Sequence, residues 1–152
     1  MTEKEIAWDL TQIFPSLEDP SIDVAIENVK KLAEGIISKY KGKIKDLNAK
    51  GLLKLLQQYE GYQMETQEIG LFARLSFAAN LTWEETQSLN DRVSKFQAAL
   101  SQKLAFLTLE IGKLVYKKPA LIQSKDLIKY KHYLERLHRS VPHQLSEVEE
   151  QL

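Results

Sequence analysis

The three histidines are the residues whose side chains could perform acid–base or metal chemistry in this 152-residue chain. They are His132, His138 and His143. Metal ligands on one face of a helix lie three or four residues apart, and the spacing of these histidines does not fit that rule. None of them is followed by glutamate, so the zinc-binding pattern His-Glu-x-x-His is absent. We therefore predict no catalytic residue and no metal ligand in this chain, and surface or packing roles for the histidines.

Other catalytic motifs are also missing from the sequence. There is no cysteine, which removes disulfides, thiolate metal sites and cysteine nucleophiles. No serine stands in a glycine-flanked nucleophile elbow, and the chain has neither a Walker loop nor a dinucleotide fingerprint. A small enzyme of an unrecognised kind remains an alternative, and a zinc-dependent gain in stability would reveal its metal site.

A row of basic side chains is the strongest charge pattern in the sequence. Lys125, Lys129, His132, Arg136 and Arg139 follow one another at spacings of four, three, four and three. This spacing predicts a basic face along one helix. Two interpretations stay open: a solvated face, or an electrostatic rim that contacts an acidic surface or a peptide carboxylate. His143 follows this row and has either a packing role in a turn or a role facing a substrate.

Composition limits the partners and the location of the protein. Lys and Arg total 21, as do Asp and Glu, so the formal charge is zero and no global basic field attracts phosphates. We predict no nucleic-acid partner. The polar start and the lack of a long apolar run predict a protein without a membrane partner, and the lack of cysteine favours a cytoplasmic location.

Apolar residues recur at helical spacing almost from end to end, and no stretch alternates with a period of two. The sequence therefore predicts an all-α fold over a single region, 1–152. We expect an irregular aromatic arm in 1–18, the main helices in 19–140, and in 141–152 the start of a helix that continues in a longer protein.

Capping residues and apolar stripes predict the individual helices. The first begins at Pro20 after Asp19 and ends at 41–43. The second, about 48–80, has two apolar stripes and therefore needs neighbours on two sides. A capping box at Thr82 opens a third helix, whose stripe continues without a break from Leu89 to Leu114. We expect the second and third helices to pack antiparallel as a long helical hairpin, around which an antiparallel bundle is built.

The last helical region is bounded by prolines and a second capping box. We predict a helix from near Pro119 or Ser124 to about Arg139, ended by Val141 and Pro142. The capping box at Ser146 then opens a further helix.

Three segments resemble the oligoendopeptidase F family. Residues 132–150 are similar to a family pattern in which a helix of the type Leu-x-x-x-Arg-Arg leads to Pro-His-x-Leu-Ser and an acidic helix start. Residues 142–146 match Pro-His-x-Leu-Ser at every position, whereas His138 replaces the first of the paired arginines. Residues 8–17 resemble the family's opening Trp-Asp-Leu segment, and 40–44 its Tyr-x-Gly-x-Leu turn. The three segments occur in the family's order and cover essentially the whole chain.

This resemblance implies the amino-terminal lobe of a larger, mostly helical zinc metallopeptidase (thimet-oligopeptidase-like) that cleaves short peptides in a deep channel. The family's His-Glu-x-x-His helix lies far downstream, so zinc belongs to the parent enzyme and this chain alone is expected to be inactive. Its partners would be the downstream catalytic domain and the parent's peptide substrates. Lys129, His132, Arg136, Arg139 and His143 are then expected to line the channel or an interface.

Two hypotheses about the working unit remain open. A non-catalytic peptidase region predicts exposed apolar surface where the rest of the enzyme packs, and hence self-association as a homo-oligomer. The alternative is a stand-alone helical module that binds a partner protein through its basic face or a groove. A His-Glu-x-x-His motif further along the reading frame would favour the first.

Overall fold

The computed structural model describes residues 13–80 and 83–150, with side chains described up to position 143. This part of the chain contains α-helices and short 3₁₀ helices and no strand, which confirms the all-α prediction. The α-helices are α1 (Pro20–Tyr40), α2 (Ala49–Ala79), α3 (Glu84–Lys103), α4 (Phe106–Lys117) and α5 (Lys131–Glu150). The 3₁₀ helices are Ile44–Asp46, Pro119–Gln123 and Lys125–Tyr130. No helix in the described ranges is long and apolar enough to cross a bilayer.

The chain forms two compact units. Unit 1 comprises Met1–Ala33 and Glu60–Gln102, and unit 2 comprises Glu34–Tyr59 and Lys103–Leu152. Of the aromatic arm expected in 1–18, residues 1–12 lie outside the described residues. In the part that follows, the ring of Phe14 packs edge-on against Phe72 within unit 1, with ring centroids 5.0 Å apart.

Helix α1 begins and ends as the sequence predicted. At its start, the backbone N–H of Ser21 donates to Asp19 Oδ1 at 2.8 Å, and hydrogen bonds from the side chain and backbone of Ser21 lower the pKa of Asp19. The predicted apolar face is buried along the whole helix, at Ile22, Ile26, Val29, Ala33, Ile36 and Tyr40. These contacts make α1 a component of the core in both units.

The turn after α1 explains the Tyr-x-Gly-x-Ile motif physically. Gly42 adopts a φ of 78°, a left-handed conformation that L side chains rarely adopt. Its N–H donates to the carboxylate of Glu110, at 3.0 and 3.1 Å from the two oxygens. Tyr40 and Ile44, on either side, are buried at 3% and 0% exposure. The motif thus reverses the chain at the glycine and anchors both sides of the turn in unit 2.

Helix α2 matches its predicted range to within one residue at each end. The second of its predicted stripes consists of Met64, Leu71, Leu75 and Ala78, all in unit 1. Met64 is 65% exposed and Leu71 42% exposed. The first stripe is largely buried in the core. In the second stripe, Met64 and Leu71 are not covered by any of the described residues.

Helices α2 and α3 contact each other in unit 1 through one glutamine. The side-chain amide of Gln97 donates to the carbonyl of Thr66 at 2.8 Å. Gly70 makes room for it, because a Cβ atom there would lie 2.6 Å from Gln97 Nε2. On another side of unit 1, Arg92 on α3 forms an ion pair with Asp23 on α1.

The predicted continuous third helix is wrong, because the structure divides it into α3 and α4 at Leu104 and Ala105. The N–H of Leu107 bonds to the carbonyl of Leu104 at 3.0 Å, which makes a tighter turn than an α-helix has. No proline or glycine marks this position, so the sequence carries no local signal for the break. The predicted stripe nevertheless stays buried across it, at Leu100, Leu104, Leu107, Ile111 and Leu114.

The predicted end of the fourth helix is also wrong. Residues 119–130 form two 3₁₀ helices, and α5 then runs from Lys131 to Glu150 with Pro142 inside it. Ser146 therefore does not start a separate helix. Val141 is only 3% exposed, so burial continues up to the proline and offsets the backbone hydrogen bond that the proline cannot donate.

Helix α5 packs along α4 in unit 2, and Gly112 allows the close approach. A Cβ atom at position 112 would lie 3.2 Å from Val141 Cγ2 and 3.5 Å from the backbone oxygen of Leu137. The missing side chain at Gly112 therefore determines how closely the backbones of α4 and α5 approach.

Replacing Gly112 with valine is expected to lower the free energy of unfolding by about 1–3 kcal/mol, because the added methyl groups overlap Val141. The matched control is Gly35→Val, since a Cβ at that helical glycine meets nothing within 4 Å. We expect the control to leave stability unchanged or raise it slightly, because valine is the better helix former. Urea unfolding followed by circular dichroism measures both, and equal stabilities of the two variants would contradict the close packing.

Candidate interaction surface

The predicted basic residues lie at the surface of the carboxy-terminal helices of unit 2. His132, Arg136, Arg139 and His143 are exposed on α5 at spacings of four, three and four, so they share one face of that helix. Lys129 is also exposed but belongs to the 3₁₀ helix that precedes α5. The four α5 residues, together with Lys129, are called the basic face below.

Contacts within the basic face are local and solvent-exposed. His132 Nδ1 lies 3.6 Å from Glu135 Oε2, and the histidine side chain is 99% exposed. The guanidinium of Arg136 lies over the ring of Tyr133, 5.6 Å from its centroid. Exposed pairs of this kind contribute little to stability. The guanidinium groups of Arg136 and Arg139 are exposed, so an anionic partner can reach them.

The remaining histidine, His138, has a packing role. His138 is partly buried, and its ring lies against Tyr116 of α4 with centroids 5.3 Å apart. It therefore belongs to the contact between α4 and α5 and not to the basic face. The histidine ring at this position gives the helix pair an aromatic contact.

Tyr133 is a half-buried residue that the sequence did not single out. Its hydroxyl oxygen is buried and has no hydrogen-bond partner among the described residues. Burial, together with the nearby Tyr59, raises the pKa of Tyr133 to about 12. The sequence does not predict burial of this hydroxyl, because only the packing around a tyrosine decides whether its hydroxyl reaches water.

Replacing Tyr133 with phenylalanine is expected to leave the free energy of unfolding unchanged or raise it by about 1–3 kcal/mol, because an unsatisfied buried hydroxyl is removed. The pKa of Tyr133 is higher in the folded state than in the unfolded state. Ionisation therefore leaves the free energy of unfolding unaffected below pH 10 and lowers it as pH rises towards 12. The variant should lose less stability over that range than the wild type. Denaturant unfolding at several alkaline pH values measures this.

The control for Tyr133 is Tyr116→Phe, which removes a hydroxyl from a side chain that is 45% exposed. At neutral pH it should change the free energy of unfolding by less than about 0.5 kcal/mol. A clear loss of stability in Tyr133→Phe at neutral pH would instead show that the hydroxyl has a partner in solution.

No group of three or more His, Asp or Glu side chains in the described residues is arranged to hold a metal ion. The candidate site is accordingly a surface: the basic face on α5 in unit 2 and, considered separately, the uncovered apolar stripe on α2 in unit 1. Such surfaces can bind a protein or peptide.

A protein-family model matches the carboxy-terminal part of this chain. Residues 117–152 match the family model described as Oligopeptidase F. The matched stretch contains 132–150, the segment whose motif resembles the oligoendopeptidase F family, and the whole of helix α5.

Two curated proteins match almost the whole chain. Oligopeptidase PepF of Bacillus subtilis is 29% identical over 150 residues, which are 97% of this chain and 22% of that protein. Group B oligopeptidase PepB of Streptococcus agalactiae is 24% identical over 157 aligned residues, covering 99% of this chain and 25% of that protein. The chain thus spans about a quarter or less of the length of these relatives. No solved structure matches it at a comparable level of significance.

These matches confirm the resemblance that the sequence motifs indicated: the chain is similar to an amino-terminal region of oligoendopeptidase F.

Proposed function

We propose that this chain is a non-catalytic amino-terminal portion of a cytoplasmic, zinc-dependent oligoendopeptidase that hydrolyses short peptides, and that it contributes a wall of the substrate channel. The observation that carries this proposal is the alignment of nearly the whole chain with two oligopeptidases. The sequence has no His-Glu-x-x-His, so the parent's zinc ligands and general base would lie elsewhere in the protein.

The exposed apolar stripe on α2 supports the proposal that this chain packs against a further part of a larger protein. Met64 and Leu71 expose apolar side chains on the same helix whose other stripe is buried. Exposed apolar patches commonly mark interaction surfaces. In the proposed enzyme this stripe packs against the downstream catalytic domain.

The basic face supports a role in peptide binding. Its cationic groups point to solvent and could attract the carboxylate of a short peptide or an acidic surface of the downstream domain. In this role Lys129, His132, Arg136, Arg139 and His143 guide or position a peptide and do not take part in bond cleavage.

The test is hydrolysis of a quenched fluorescent peptide of mixed sequence with added zinc. The purified chain is assayed alone and after mixing with the parent's downstream region, expressed separately. We expect activity only after mixing. Activity of the chain alone would overturn the proposal.

A stand-alone helical interaction module is the second candidate function, and the exposed cations on α5 are the observation that favours it. This function would be favoured if neither sample hydrolysed the peptide although the chain and the downstream region were shown to associate. In that case neutralising Arg136 and Arg139 should weaken the association.

A further inference from the structure

The zero net charge of the chain conceals two units of opposite charge. Unit 1 contains 6 Lys or Arg and 13 Asp or Glu, whereas unit 2 contains 15 Lys or Arg and 8 Asp or Glu. Their formal charges are therefore −7 and +7. Fields of this size steer the association of charged surfaces even when the whole molecule is neutral.

Four of the 15 Lys or Arg residues of unit 2 lie around one cleft, here called the lysine cleft. It has a volume of about 260 Å³. It is lined by Lys45, Glu110, Lys113, Leu114, Lys117 and Lys118. The carboxylate of Glu110 already accepts the N–H of Gly42, and the described residues form no ion pair with the four lysines. These cations repel one another, and an anionic partner would relieve that repulsion.

Unit 1 carries a surface of complementary chemistry, here called the acidic cleft. Its adjoining cavities measure about 360 and 600 Å³. Its carboxylates are Glu18, Glu84 and Glu85. Trp83 lines one cavity and is 54% exposed, so the acidic groups stand beside an aromatic surface that could be buried on contact. Arg92 also lines the acidic cleft, but its charge is paired with Asp23.

We propose that the lysine cleft of one copy of this chain binds the acidic cleft of a second copy. Each exposed ion pair contributes little, so the contact relies on several pairs together with burial of Trp83 against the apolar floor formed by Leu114. The resulting association is reversible and weakens with salt. It differs from self-association through the apolar stripe of α2, which salt would not weaken.

A second copy fits the lysine cleft better than nucleic acid does. The cleft contains no arginine to bind phosphate in a bidentate manner and no aromatic side chain to stack on a base. A protein surface that presents both carboxylates and an apolar ring, as the acidic cleft does, can pair with the lysines and bury the ring in the same contact.

Sedimentation velocity over a range of chain concentrations tests this contact at about 20 mM and about 500 mM salt, where the Debye length differs several-fold. The test variants are Lys113→Glu with Lys117→Glu, and Glu18→Lys with Glu85→Lys. We expect the wild type to associate at low salt only, and each reversed variant to associate at least tenfold more weakly. Mixing the two variants should restore association at low salt, because the intact acidic cleft of the first variant complements the intact lysine cleft of the second, and their two reversed clefts also have opposite charge.

The matched control is Lys50→Glu with Lys54→Glu, which has the same spacing and change in charge within unit 2 but lies outside the cleft. Circular dichroism checks that every variant is folded. The control should associate like the wild type. A carbodiimide that couples touching amines and carboxylates should link the two clefts between isotopically distinguishable copies.

Three results would overturn the proposal. The first is a wild-type chain that stays monomeric at low salt, and the second is association that neither salt nor the charge reversals weaken. The third is binding of a labelled nucleic acid, without self-association, that Lys113→Glu with Lys117→Glu abolishes.

Discussion

Replacing Leu134 with alanine is expected to lower the free energy of unfolding by about 2–5 kcal/mol, because the truncation leaves a cavity where α5 packs on α4. Leu134 is 0% exposed, and the contact between these helices is the most extensive among the elements that lie wholly within unit 2. Urea unfolding followed by circular dichroism gives the difference between the variant and the wild type.

The control for Leu134 is Ile128→Ala, a similar loss of volume at a side chain that is 74% exposed. It should change stability by less than about 0.5 kcal/mol. If both variants lost the same amount, Leu134 would not be a core residue, and the contact between α4 and α5 would be wrong. The pair of variants therefore tests the part of the chain that matches the Oligopeptidase F family model.

Replacing Pro142 with alanine is expected to raise the free energy of unfolding by about 1–3 kcal/mol. Pro142 lies inside α5, where proline cannot donate the backbone hydrogen bond and costs roughly 3 kcal/mol relative to alanine. Part of the gain is lost because alanine gives the unfolded chain more freedom, by about 0.4–1 kcal/mol. Denaturant unfolding measures the net effect, and far-ultraviolet circular dichroism should show at least as much helix.

The matched control is Pro119→Ala. Pro119 is the first residue of a 3₁₀ helix, a position at which proline costs nothing because the N–H would have no partner within the helix. Stability should stay the same or fall by a few tenths of a kcal/mol through the unfolded state. A loss of stability in Pro142→Ala would contradict a continuous α5 and favour the helix end that the sequence predicted.

Helix α1 shows how much local sequence can specify. Its cap at Asp19, its proline start and the glycine after its last turn each act within a few residues, and its apolar spacing has only one face to bury. The structure follows all these signals. The Tyr-x-Gly-x-Ile turn is equally local, although the N–H of its Gly42 donates to the carboxylate of Glu110, which is 68 residues away.

The break between α3 and α4 and the continuity of α5 could not be predicted in this way. Leu104 and Ala105 favour a helix, yet the chain turns there, whereas Pro142 disfavours a helix, yet α5 continues. In both places, packing with distant segments outweighs a local preference of a few kcal/mol at most. Tyr133 belongs to the same group, because its isolated hydroxyl is a property of the residues packed around it.

The sequence by itself determined the helical class, the extent of α1 and α2, the residues of the basic face and the resemblance to a peptidase family. These features follow from periodicity, capping and motif, which depend on residues close together in the chain. Only the tertiary structure decided where long helices break, which apolar stripe stays uncovered, and which segments combine into each unit. That combination is what separates the charges, because residues 34–59 and 103–152 pool their lysines in unit 2 although 43 residues lie between them in the chain.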